Sequence, residues 1–232
     1  MRRVSVKWAA VLGLVLLGGC NQGPEGPSLE LEVFQLVRQR VSSIGGAASA
    51  ERPPLTRAGL DEVEGAYIEV TLENRDIFAY LSQQLVRRDS SPGQIVVWRT
   101  EDNITLSMRS GVLIATRGLG DDILSASAPV IAGRGGPARG GERRYQIRGL
   151  DHRTQVLVLA CSLQDLGAET VEIVELSYAT RHLQERCEGG GDIGGGVVVN
   201  DYWVDSRSGR IWQSRQWAGP TIGYLRIRQL TI

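Results

Sequence analysis

The sequence predicts an all-β, mainly antiparallel fold: a single curved or barrel-like sheet with a short N-terminal helix. Three observations carry that prediction. From Ala66 onward apolar residues recur with a period of two, the spacing that puts alternate side chains of a strand on one face. The alternating runs are short, recur at roughly ten-residue intervals, and are joined by Gly-containing turns. No βαβ rhythm, internal repeat or second-domain boundary interrupts them.

In chain order, Ser28 can cap a helix to about Ser43, with Leu29, Val33, Leu36, Val37 and Val41 at helical spacing. The segment Leu29 to Val33 also alternates as a strand would. Residues 44–59, rich in Gly, Ala and Pro, read as an exposed connection. Tyr67, Glu69 and Thr71 against Ile68, Val70 and Leu72 form the first strand. Residues 75–88 are ambiguous by pattern: Ile77, Leu81 and Leu85 suit a helix, Phe78, Tyr80 and Val86 strands. Ser90 to Gly93 is a turn before a strand at Ile95 to Trp98. Asn103–Met108 and Val112–Arg117 flank Arg109-Ser110-Gly111 as a hairpin.

A Gly/Arg loop at 133–141 precedes strands at 144–148 and 155–160. Residues 169–183 form one long β-branched run, and 188–196 read as a flexible glycine loop. Val197–Val204 and Arg210–Trp217 flank Asp205-Ser206-Arg207-Ser208-Gly209 as another hairpin. Tyr224, Arg226 and Arg228 alternate with Leu225, Ile227 and Leu230 in a final strand.

The first twenty residues are of a different kind. Arg2, Arg3 and Lys7 precede a ten-residue apolar run, Trp8 to Leu17. A membrane-spanning helix needs roughly twenty residues, so this run is a signal-peptide core. Leu17-Gly18-Gly19-Cys20 resembles the lipobox of bacterial lipoproteins. That resemblance implies cleavage after residue 19 and acylation of Cys20, an anchor of several acyl chains at about 0.8 kcal/mol per buried methylene. An ordinary secreted protein with a stray cysteine is the alternative. Asn21, where aspartate would signal retention at the inner membrane, implies the periplasmic face of the outer membrane. Residues 20–28 form the lipid-anchored tether and 29–232 the single β-rich periplasmic domain.

The 232-residue chain has a formal charge of +0, 42% hydrophobic and 22% charged residues. That is a globular composition, and it excludes nucleic-acid binding by bulk basic charge. Removing residues 1–19 leaves 23 arginines against 26 acidic residues, a formal −3, and no lysine. The arginine bias reads mainly as coding-DNA composition, with a structural role for some arginines as the lesser reading.

Cys161 and Cys187 remain after Cys20 is lipidated, and the run between them can fold back as a hairpin. In an oxidising periplasm they read as a disulfide, with two reduced buried thiols as the alternative. A metal site is disfavoured because His152 and His182 lack ligand spacing. There is no nucleophile elbow, HExxH or P-loop lysine, so the expectation is no catalytic residue, no cofactor and no metal. Gly118-Leu119-Gly120-Asp121-Asp122 suggests a phosphate or metal loop but fits a turn better. Glu101-Asp102 points to opposite faces if extended, so turn chemistry is favoured over an acid pair. Asp151-His152 reads as solvated.

The richest segment is the C-terminal hairpin. Trp203, Trp212 and Trp217 are interleaved with Asp205, Arg207, Arg210 and Arg215. Aromatic faces and arginine forks can bind sugars or acidic polymers, but a hairpin whose tryptophans fill a barrel core is the favoured reading of the two. Trp203, Asp205, Arg207, Trp212, Arg215 and Trp217 are the candidate polymer or partner surface. If neither strand is bulged, Trp203 and Asp205 share a face, as do Arg210 and Trp212.

Two motifs extend beyond this pattern. Tyr202-Trp203-Val204-Asp205, Gly209, Ile211-Trp212 and Ser214-Arg215-Gln216-Trp217-Ala218-Gly219-Pro220 form the first. Gly111-Val112-Leu113-Ile114-Ala115-Thr116-Arg117-Gly118-Leu119-Gly120 with Asp122 and Ser125-Ala126 form the second. From about Ala66 the chain is similar to the YjbF/GfcB family, lipoproteins encoded with exopolysaccharide or group 4 capsule genes. The placement of Cys161 and Cys187 also resembles the family's paired cysteines. The resemblance implies a barrel-like periplasmic domain at the outer membrane and strands across residues 77–87. It supplies no catalytic residue. This chain departs from the commoner pattern by ending at Ile232 just after its last strand, and by the glycines at 189–196.

The expected function is a non-enzymatic accessory lipoprotein of polysaccharide production or export, binding polymer or an export partner and no nucleic acid. A lipid or lipoprotein carrier with an apolar barrel cavity, and a polysaccharide-modifying enzyme, are the alternatives.

Overall fold

The period-two runs become twelve strands in one antiparallel sheet, in the computed structural model of the chain. It describes residues 55–149 and 152–232. The chain divides at Ser42/Ser43 into two units, and all described residues belong to the second. The expected signal peptide, Cys20, the tether and the helix over 28–43 lie outside the described residues.

The elements are α1 (Arg57–Asp61), β1 (Tyr67–Leu72), β2 (Ile77–Arg87), β3 (Ile95–Arg99), β4 (Thr105–Arg109), β5 (Val112–Arg117) and β6 (Ile123–Ala126). They continue as β7 (Gly140–Arg148), β8 (Thr154–Ile173), β9 (Leu176–Gly191), β10 (Gly194–Asp205), β11 (Ile211–Trp217) and β12 (Tyr224–Gln229). The order across the sheet is β5-β4-β3-β2-β1-β12-β11-β10-β9-β8-β7-β6. Apart from the β1–β12 pair, every neighbour in the sheet is also a neighbour in sequence.

The sheet curls until its two edge strands meet. At that seam the Thr116 hydroxyl on β5 accepts from the Ile123 N–H on β6 and donates to Asp122. Bulges in β2, β5, β6, β8 and β11 supply the bends that curvature requires. Ile68, Val70, Leu81, Leu106, Tyr145, Leu159, Leu225 and Ile227 point inward into the main core. Each fully buried chain of this kind contributes roughly 1.5–3 kcal/mol.

Several expectations hold. Residues 77–87 are strand, as the resemblance implied. The Arg109-Ser110-Gly111 hairpin forms with Ser110 and Gly111 at φ 48° and 79°, the left-handed pair that a two-residue turn requires. The Asp122 carboxylate accepts from the N–H groups of Gly118 and Leu119, which makes 118–122 a turn. Thr100 donates to Asp102 in a second such turn, and His152 sits in a third at φ 62°.

Four expectations are corrected. The 188–196 segment is not a flexible loop: Gly189–Gly191 end β9, Gly194–Gly196 begin β10, and only Asp192 and Ile193 turn between them. Glycine is used there for closeness, since a Cβ on Gly191 would collide with the Val156 carbonyl oxygen. The 169–183 run is split by a turn at Val174 and Glu175, both at positive φ. Strand β7 begins at Gly140, so Arg143, between the expected loop at 133–141 and the expected strand at 144–148, lies within it. Within the expected connection, residues 57–59 belong to α1, capped by Thr56.

Candidate functional site

The antiparallel order sorts every connection to one of two ends of the sheet. One end carries α1, the turn at 88–94, Ser110-Gly111, the 127–139 loop, the β8–β9 tip, the turn at 206–210 and Leu230–Ile232. Three adjoining depressions open there.

The central one is a cleft of 310 Å³, with Ile68, Met108 and Ile227 on its apolar side. Trp98, Arg210, Trp212, Ser214 and Gln229 supply its aromatic and polar lining. A second, of 480 Å³, is lined by Arg88, Asp89, Gln94 and Arg134, and shares Ser110 and Gly135 with the cleft. A third, of 490 Å³, lies against Arg57, Leu60, Tyr178 and Leu230, and shares Trp212 with the cleft.

The loops around the openings are fixed by backbone contacts. Gly135 N–H donates to the Gly209 carbonyl at 3.0 Å, and Gly136 N–H to the Ser110 carbonyl at 2.8 Å. A Cβ on Gly135 would lie 2.5 Å from the Gly209 oxygen, so this approach requires glycine. The rim is therefore preorganised.

The sequence-selected residues are partly assembled here. A bulge leaves Trp212 without a cross-strand partner, because Trp203 pairs Gln213 and Val204 pairs Ile211. The bulge re-aims Trp212 so that its indole N–H reaches the Asp205 carboxylate at 3.2 Å. Tyr178 stacks on Trp212 at 3.7 Å, and the Arg210 guanidinium lies 5.5 Å from its ring centroid. With 7% of its surface exposed, Trp212 is a wall of the cleft and not an open stacking platform.

Asp205 also accepts from the N–H groups of Ser208 and Arg207, and Ser208's N–H with the Trp212 indole holds the carboxyl well below the usual range. Arg207 is exposed in that turn.

The other three residues lie apart from this group. Arg215 pairs with Glu73 at 2.8 Å and covers the Tyr224 ring at 3.6 Å. Trp217 packs edge-to-face on Tyr145 beside the main core. Trp203 stacks on His182 at 4.5 Å, and its indole N–H is buried without an acceptor among the described residues. His182 is itself held between Glu169 at 3.1 Å and Asp201 at 2.9 Å.

Cys161 and Cys187 are directly opposed on β8 and β9 and joined by a disulfide. Beside it is a polar group in the barrel interior that the sequence reading did not select. Arg143 meets both oxygens of Glu185, donates to the Tyr145 and Tyr202 hydroxyls, and all four side chains are buried. Asn200 donates to Glu185, and Gln216 links Tyr202 to the Leu113 N–H across the barrel. Burial opposes charge on Arg143, but the tyrosine oxygens and Glu185 outweigh it and raise its pKa. Burial pushes the Tyr145 and Tyr202 hydroxyls up, Tyr202 the further, so both remain neutral donors and acceptors. The two sulfurs and a Glu185 oxygen lie within 4.8 Å of one another, but the sulfurs are bonded together and the carboxylate is taken by Arg143.

A family model described as "Group 4 capsule polysaccharide lipoprotein gfcB, YjbF" matches residues 27–230. The chain belongs to this family. The family assignment agrees with the resemblance carried by residues 111–126 and 202–220. Among solved structures the chain is similar to the hypothetical lipoprotein YmcC from Escherichia coli (K12). The TM-score is 0.65 at 16% identity, covering 91% of this chain and 98% of that one, a likeness that shows the fold. No curated protein matches the sequence.

Proposed function

We propose that the chain is a lipid-anchored, non-enzymatic accessory protein of capsule or exopolysaccharide production or export, and that it holds polymer in the cleft shared by Trp98, Arg210 and Trp212. The family supports the polysaccharide setting. The single observation that carries the cleft is its mixed lining: indole walls beside Arg210, Ser214 and Gln229 suit a sugar's apolar faces and hydroxyls together. Among the described residues, this lining contributes no Asp, Glu or His, which supports binding over glycoside chemistry. Acylated Cys20 would anchor the domain at the periplasmic face of the outer membrane.

Purified chain beginning at residue 21 should show a saturable change in tryptophan fluorescence with the host's own surface polysaccharide. Arg210→Ala should weaken that response, and the recovered saccharide should have unchanged mass. No response would remove the cleft as the binding site, and a shortened or altered saccharide would replace binding by catalysis. Deleting the gene should lower surface polysaccharide. Mass spectrometry of the native protein should find an acylated Cys20 at its terminus.

The apolar side formed by Ile68, Met108 and Ile227 favours a second reading, a lipid carrier. Acyl chains recovered by solvent extraction of the delipidated-terminus chain, with no saccharide response, would support it instead.

A further inference from the structure

We infer that the polymer held here is acidic, and that Arg88 and Arg134 form a second subsite that reads its anionic groups one step along from the tryptophan cleft. This rests on the polysaccharide-binding reading and names the chemical class of its ligand. The geometry begins with continuity. The arginine-lined depression and the cleft share Ser110 and Gly135, so the two adjoin along one rim. A linear polymer fits such a track better than a compact ligand does.

The charge balance of the second subsite is one-sided. Its charged lining is Arg88, Arg134 and Asp89. Asp89 is not available to repel an anion, because Arg109 grips both of its oxygens at 2.9 and 2.6 Å. Among the described residues neither Arg88 nor Arg134 enters an ion pair, and both are exposed. Arg134 acts on Asp165 only through space, whose oxygens are occupied by Arg181 and the Gly167 N–H. Two arginine forks thus remain open at the rim of a sugar-sized cleft, and carboxylate recognition by such forks is geometrically specific. Arg210 continues the positive lining into the cleft itself. An uncharged polymer would leave this arrangement without a counterpart.

The test compares oligogalacturonate with its methyl ester, which keeps the rings and removes the charges, as ligands of the chain from residue 21. Expected is tighter binding of the acid form, with Arg88→Gln/Arg134→Gln losing about tenfold or more for the acid and little for the ester. The salt dependence of acid binding should become shallower in the same variant. Equal binding of acid and ester by the unmodified chain would overturn the acidic assignment while leaving the saccharide cleft in place. No binding of either would overturn both. Loss of binding to phosphatidylglycerol vesicles in the double variant, with no preference between the two saccharides, would give these arginines to the membrane and overturn the subsite.

Discussion

Arg143 and Glu185 meet inside the barrel through two contacts of 3.0 Å, with side-chain exposures of 2% and 3%. Such a pair is kept by completeness. Tyr145, Tyr202 and Asn200 add further hydrogen bonds to the two charged groups, so neither charge faces the core alone. Arg143→Met should therefore cost about 3–5 kcal/mol, since it strands a buried carboxylate. Arg143→Met combined with Glu185→Leu should recover much of that loss, because the desolvation cost of both charges disappears together. Urea denaturation of the single and double variants checks this; a double variant as unstable as the sum of the singles would mean that the two charges do not stabilise one another.

The same residues show where the sequence was legible. Period two placed most of the strands, and on β12 the inward Leu225 and Ile227 follow directly from alternation with the arginines. Arg143, Tyr145 and Ile147 obey that alternation too, as do Leu183, Glu185 and Cys187. An arginine and a glutamate at inward parity on different strands was the available signal, masked by the glycines at 140–141 that suggested a loop. The turn at Val174-Glu175 gave no signal, because left-handed φ is rare for β-branched residues and nothing there resembles a turn. The candidate site was half legible for a similar reason. Composition pointed to the 203–217 hairpin, but the bulge at Trp212 and the arrival of Trp98 from β3 and of Ser110 and Arg134 from distant loops depend on tertiary closure.

The Cys161–Cys187 bond closes a sequence separation of 26 beside the buried Glu185. By the chain-entropy argument its loss should cost about 3–4 kcal/mol. Cys161→Ser/Cys187→Ser, or reduction of the native chain, should lower the urea midpoint accordingly. Because the bond ties β8 to β9 next to the Arg143 network, combining the serine pair with Arg143→Met should depart from additivity. Strict additivity would show that the disulfide acts only on the unfolded chain.

Acid should weaken the rim of the site in a defined window. The Arg109 side chain, and then the Ser91 N–H, lower the Asp89 pKa from 3.8 to about 2. A depressed folded pKa means its contribution is complete above the unfolded value and is lost as pH falls towards about 2. The stability difference between the native chain and Asp89→Asn should thus shrink as pH is lowered from neutral through 3.8 towards 2. Denaturation midpoints measured along that series check it, and a difference that stays constant would remove the Arg109 contact as the cause. Asp205, held down by Ser208 and Trp212, should behave in the same sense.

The glycine-rich turn between β9 and β10 separates two explanations by substitution. If those glycines served flexibility, alanine would be tolerated equally along the run. In the folded chain a Cβ on Gly191 would run into the Val156 carbonyl, whereas one on Gly196, whose φ is not left-handed, meets nothing within 4 Å. Gly191→Ala should therefore cost about 1–3 kcal/mol as overpacking against immobile backbone, and should loosen the β8–β9 pairing that holds Cys161 opposite Cys187. Gly196→Ala should be neutral or slightly stabilising, because it removes freedom from the unfolded chain alone. Thermal melts of the two variants decide it: equal melting temperatures would return 188–196 to a loop, and a drop confined to Gly191→Ala would establish close backbone approach as the reason for glycine there.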